Sequence, residues 1–80
     1  MNPKRKEPNL STYAGRCGAR LRMLRERKGL SVETVASILG ISERAIYHWE
    51  SGQRDLPLEI MPKLASLYGL KSPQFLLSPK

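Results

Sequence analysis

The sequence predicts an all-α fold in which five short helices share one core. Three observations predict it. Apolar residues recur at helical spacing in five successive stretches, glycines, prolines and serines punctuate those stretches, and no segment alternates apolar and polar residues as a half-buried strand does. No internal repeat is present. Eighty residues are read as one domain, and a chain this small buries only about 60% of the surface its unfolded form exposes, so no catalytic domain is expected beside the core.

Residues 1–11 carry Pro3, Pro8 and the Lys4-Arg5-Lys6 run without apolar periodicity and read as a flexible basic arm, with residues 12–80 as the folded domain. The first helix spans residues 12–28, where Cys17, Leu21 and Leu24 fall at i, i+4 and i+7, and Gly29 stops it at the position just past the cap. Ser31 caps the second helix, whose apolar face is formed by Val35, Ile38 and Leu39 and which ends at Gly40. The third spans residues 42–51: Ala45, Ile46 and Trp49 share one face, and Glu43, Arg44, Tyr47 and His48 occupy the others. Residues 51–57 form a loop with Gly52 as the C-cap of the third helix, and a fourth helix over residues 58–68 carries Ile60, Met61, Leu64, Leu67 and Tyr68 before Gly69. Ser72 then caps a short fifth helix with Pro73 at its first position, and Phe75, Leu76 and Leu77 complete the core or form a two-fold interface.

The net charge is +7, and its distribution is informative. Nine basic and two acidic residues precede Gly29, whereas five of each follow, so the whole excess belongs to the arm and the first helix. Such a balance points to an anionic partner, a nucleic acid or a membrane surface, although arginines also serve simply to solvate a helix face. The apolar stripe of the first helix is committed to the core, which speaks against a membrane. No apolar run approaches the roughly 18 residues of a membrane span and no signal-type segment opens the chain, so a cytoplasmic protein is expected.

Chemistry is sparse. Cys17 is alone and reads as a small core residue, no His or Cys cluster has metal-ligand spacing, and His48 has no nucleophile and orienting acid to work with. No catalytic residue, metal or cofactor is expected.

The informative stretch runs from Val32 to Glu50, two short helices joined at a glycine. Ala36 has almost no side chain, so the second of the pair can cross close above it, and Gly40 adopts a left-handed conformation at no steric cost. Val35, Leu39, Ile41, Ile46 and Trp49 fill the angle between them. Together with Leu21 to Ser31, Ala36 to Trp49, Glu50-Ser51-Gly52 and Leu64 to Leu70, these features resemble the Cro and phage-repressor (XRE) helix-turn-helix family of DNA-binding regulators over about residues 16–77. The resemblance implies a lambda-repressor-like domain in a cytoplasmic, bacterial or phage-encoded transcription regulator, a repressor, that binds double-stranded DNA as a homodimer on a roughly palindromic operator.

In that family the second motif helix lies in the major groove. Carried over, the base-reading positions are Ser42, Glu43, Arg44, Tyr47 and His48. Arg44 suits guanine O6 and N7, with a phosphate contact as its other reading. Glu43 either accepts from cytosine N4 or serves the helix dipole, Tyr47 meets a phosphate or a thymine methyl, and His48 is a groove contact or plain surface. Glu50 faces the wrong end of its helix dipole, and the resemblance supplies Arg25 as its partner in a structural ion pair.

Phosphate contacts are expected from Gln53 and Arg54 and from Lys4, Arg5 and Lys6 in the arm. Two positions depart from the family: Val32 replaces a phosphate-binding glutamine, and Gln53 a frequent lysine or arginine. Arginines of the first helix and Lys4 to Lys6 of the arm are the expected compensation. The competing class is a protein-interaction module, such as the antitoxin-like partner of a toxin or regulator, with DNA binding secondary.

Overall fold

The computed structural model describes residues 9–72 and residue 76. Among them four helices run in the order α1 (Tyr13–Arg27), α2 (Val32–Leu39), α3 (Glu43–Glu50) and α4 (Met61–Leu67), with no strand. The fold is all-α, but the described residues hold four helices where the sequence predicted five. The fifth rested on Pro73, Phe75 and Leu77, which lie outside the described residues; Leu76 is fully buried and thus joins the core. No helix among the described residues is long and apolar enough to cross a membrane.

Hydroxyl caps set the first three helix starts. The Thr12 side chain accepts from the Gly15 amide at 3.0 Å, Ser31 from Thr34 at 3.0 Å and Ser42 from Ala45 at 3.2 Å. Each such bond satisfies an amide with no intrahelical partner and contributes about 1 kcal/mol. Ahead of α1, the Thr12 amide and hydroxyl both donate to the Asn9 carbonyl, at 3.2 and 3.0 Å. Asn9, Leu10 and Ser11, which the sequence assigns to the arm, therefore form a turn that lies against Gly15, where a Cβ would collide with the Asn9 carbonyl. Residues 1–8 of the arm are outside the described residues.

The tight turn between α2 and α3 depends on Gly40, which stands at φ +68° in the left-handed region while the Ile41 amide donates to the Ala36 carbonyl at 3.0 Å. At the other end of α3 the cap is Ser51 rather than Gly52, which follows one residue later at φ +79°. α4 also starts later than residue 58, because Pro62 has no amide to give the Leu58 carbonyl and its ring crowds that carbonyl. Residues 58–60 form a turn instead, in which the Ile60 and Met61 amides donate to the Pro57 carbonyl at 3.1 and 3.3 Å.

The core gathers Leu21 and Leu24 of α1, Val32, Val35 and Ala36 of α2, Ile46 and Trp49 of α3, and Met61, Leu64, Ala65 and Tyr68 around α4. The Cys17 thiol is buried beside them and forms no disulfide among the described residues. α2 differs from the sequence reading: its buried stripe is Val32, Val35, Ala36 and, half-buried, Leu39, at i, i+3, i+4 and i+7. Ile38 lies about 60° beyond the edge of that stripe and is 57% exposed, so it is not part of the core face.

Candidate nucleic-acid interface

α3 is held from behind at two levels. Close to its C-terminal end, α1 crosses at Gly18, where a Cβ would collide with the Glu50 carbonyl and stand 2.7 Å from that of Trp49. Gly52 makes a similar approach, a Cβ there falling 2.9 Å from the Gly15 Cα. Backbone on backbone at this spacing admits only glycine. A glycine inside a helix costs about 1 kcal/mol relative to alanine, so Gly15 and Gly18 within α1 are a packing signal that the sequence reading passed over.

The second level is ionic. Arg25 donates from Nε to Glu50 Oε2 at 2.7 Å and from Nη2 to Oε1 at 3.1 Å, a two-pronged pair with both residues buried. Its Nη1 donates to the Leu30 carbonyl at 2.8 Å, a bond that periodicity could not reveal. One guanidinium thereby fastens α1, the connection to α2 and the end of α3. Burial opposes the charge on Arg25, but the Glu50 carboxylate outweighs it and raises the pKa above the ordinary arginine value. Tyr68 faces the same pair: burial first, then the Glu50 charge, pushes its phenol well above the usual range, against a smaller opposing effect of Arg25. Among the described residues no buried side-chain polar atom lacks a hydrogen-bond partner.

With its inner face fixed, α3 turns Arg44 outward and leaves His48 half-buried beside it. Ser42, Arg44 and His48 line one open concavity of about 540 Å³ with Arg54, and Ala45, Trp49, Asp55 and Pro57 complete its wall. The loop after α3 is folded back here, since the Gln53 and Arg54 amides both donate to the His48 carbonyl, at 2.9 and 3.3 Å. Three of the base-reading candidates and one phosphate candidate are therefore brought together. Asp55 and Pro57 were not anticipated; their neighbour Arg54 is the one signal that could have drawn attention to them.

Other candidates sit apart. Glu43 is exposed and Tyr47 is half-buried against the core, and neither lines the concavity. Gln53 is exposed and its amide nitrogen donates to Ser51 Oγ at 2.8 Å. Val32, where the family resemblance implies a phosphate-binding glutamine, is buried in the core. Lys4, Arg5 and Lys6 lie outside the described residues. No group of three or more His, Cys, Asp or Glu able to hold a metal ion occurs among the described residues.

A short helix locked against a scaffold on one side and offering polar groups on the other, joined to its predecessor by a glycine turn, is the construction of a helix-turn-helix domain. The family model described as a helix-turn-helix domain matches residues 16–75, and the chain belongs to that family. It is 38% identical over 52 residues to a protein of Pyrobaculum aerophilum that is named, provisionally, an HTH-type transcriptional regulatory protein; the match covers 65% of this chain and 21% of the relative. Proteins of Saccharolobus islandicus strain L.S.2.15 and Saccharolobus solfataricus strain P2, with the same kind of name, are each 45% identical over 49 residues, or 61% of this chain and 16% of the relative. The chain thus matches about a fifth or less of the length of these curated relatives, and their archaeal source lends no support to the bacterial or phage origin expected from the sequence. No solved structure matches the chain significantly.

Proposed function

We propose that the chain is a sequence-specific binder of double-stranded DNA that places α3 in the major groove and acts on transcription as a repressor. The observation that carries this reading is the shared concavity of Ser42, Arg44, His48 and Arg54 on the free side of a helix whose other side is locked. In it Arg44 reads a guanine with two parallel hydrogen bonds, His48 and Ser42 contact neighbouring base edges, and Glu43 and Tyr47 act at the margins. Arg54 and Gln53 hold phosphates, as do Lys4, Arg5 and Lys6 of the arm; such contacts fix register without reading sequence.

The domain works as a homodimer on a roughly palindromic operator, with half-sites about 34 to 36 Å apart. Selection of bound sites from random DNA tests the reading directly. Arg44→Ala is expected to relax preference at one base pair by about 1 to 3 kcal/mol, and Arg54→Ala to weaken all sites evenly while reducing the salt slope by about 1. Equal effects of the two on preference would overturn the division of roles.

A further inference from the structure

A second cavity, of about 190 Å³, lies between the N-terminal half of α1, Trp49 of α3 and the segment 54–58. Its wall is largely apolar, built from residues such as Ala14, Leu21, Leu56 and Met61. Tyr13 and Leu58, which also line it, stand 56% and 83% exposed, so apolar surface continues from the cavity to its mouth. Apolar cavities of about 150 Å³ take up benzene, and drug-sized ligands need roughly 300 Å³ or more. A volume of about 190 Å³ therefore holds one aromatic ring with a small substituent.

The polar part of the wall selects the substituent. Tyr13 and Cys17 are hydrogen-bonded to each other. Arg54 and Asp55 are exposed, and no other described residue engages their side chains. Their opposite charges cancel, which favours an uncharged ligand over an anion or a cation. An aromatic hydroxyl both donates and accepts, so one such group serves both residues: its proton goes to the Asp55 carboxylate, and its oxygen accepts from the Arg54 guanidinium. Trp49, Arg54 and Asp55 also wall the concavity of Arg44 and His48, so the two spaces share one partition.

We propose that this cavity binds an uncharged, single-ring aromatic alcohol of the phenol class, and that the ligand loosens the hold on DNA by drawing Arg54 away from a phosphate. The second half rests on the phosphate reading of Arg54 given above; the first half does not.

Trp49 is the single tryptophan of the chain, so its emission reports on the cavity directly. Phenol titrated into the full chain, with excitation beyond the absorption of phenol, is expected to change that emission saturably. Toluene, which lacks the hydroxyl, is expected to bind roughly tenfold more weakly, as are benzoate and benzylammonium. Ala14→Leu puts side chain into the cavity and is expected to abolish the phenol response while keeping DNA binding. As a second variant at exposed positions, R54A/D55A is expected to bind phenol and toluene alike. On a duplex carrying a selected site, saturating phenol is expected to weaken wild-type binding by the same factor as Arg54→Ala, to reduce the salt slope by about 1, and to leave the Arg54→Ala protein unaffected.

The proposal is overturned if phenol leaves the emission unmoved or shifts it without saturation, if benzoate or benzylammonium binds more tightly than phenol, or if a folded Ala14→Leu protein responds as wild type does. It is equally overturned if R54A/D55A keeps the full preference for phenol, or if dilution of the protein alone moves the emission, as a second copy seated on Tyr13 and Leu58 would give. Phenol that binds saturably but leaves DNA affinity unchanged, where Arg54→Ala lowers it, overturns the coupling. If Arg54→Ala itself leaves DNA affinity unchanged, the phosphate reading and the coupling fall together, while the Trp49 titration still decides the cavity.

Discussion

Along the eight residues of α3, Glu50 and Trp49 are 4% and 8% exposed and are met by the backbone of α1, whereas Arg44, a turn and a half earlier, stands in solvent. The inner face has backbone against backbone at Gly18 and a carboxylate with both oxygens engaged by Arg25. The outer face borders an open concavity. The difference teaches that one short helix divides its labour by side. Trp49 belongs to both sides, in the core and in the wall of the concavity, but Ser42 and Arg44 on the outer face are exposed and are open to change at little cost to the fold.

The largest test of this division is Glu50→Ala. It leaves a buried guanidinium unpaired and is expected to destabilise the fold by about 3 to 5 kcal/mol in urea unfolding. Replacing both partners, as Arg25→Met with Glu50→Leu, is expected to recover most of that loss. Gly18→Ala comes next, at about 1 to 3 kcal/mol, because the obstacles are carbonyls of α3 and not side-chain tips. A stabilised Gly18→Ala protein, the outcome helix propensity alone would give, breaks the comparison.

Alkaline titration sharpens it further. The folded Tyr68 phenol titrates above its unfolded value, so its contribution to stability is present below about pH 10 and is lost as pH rises through the folded pKa. Tyr68→Phe is expected to remove that loss, on the order of 1 kcal/mol at one unit above pH 10, from the pH dependence of unfolding. At the small end, Arg44→Ala on the outer face is expected to shift stability by no more than about 0.5 kcal/mol.

What the sequence made legible is local. Ser31 and Ser42 as caps, Gly40 as the turn and Gly29 and Gly69 as stops are read from a few neighbouring residues, and each stands in the structure where those residues put it. The beginning of α4 was misread because apolar spacing outweighed the missing amide of Pro62. Ile38 is ambiguous in the sequence because in an eight-residue helix two overlapping stripes fit the same apolar residues, and only packing against α3 chooses between them. The Leu30 carbonyl on Arg25 and the glycine crossing at Gly18 are tertiary contacts without periodicity. At the interface, helical spacing separated inner from outer residues, but which outer ones share a concavity depended on how the loop of Gln53 and Arg54 folds back on His48.

The bonds of Arg25 to Glu50 and to the Leu30 carbonyl also bear on how such a chain can drift. Small domains hold a total stability of about 5 to 15 kcal/mol, and losing either charge alone removes about 3 to 5 of it. A lineage that exchanges this pair for apolar residues must cross that valley in one paired step or carry a compensating change elsewhere first. The exposed face of α3 meets no such barrier, so its side chains can change one at a time on a joint that the ion pair keeps closed.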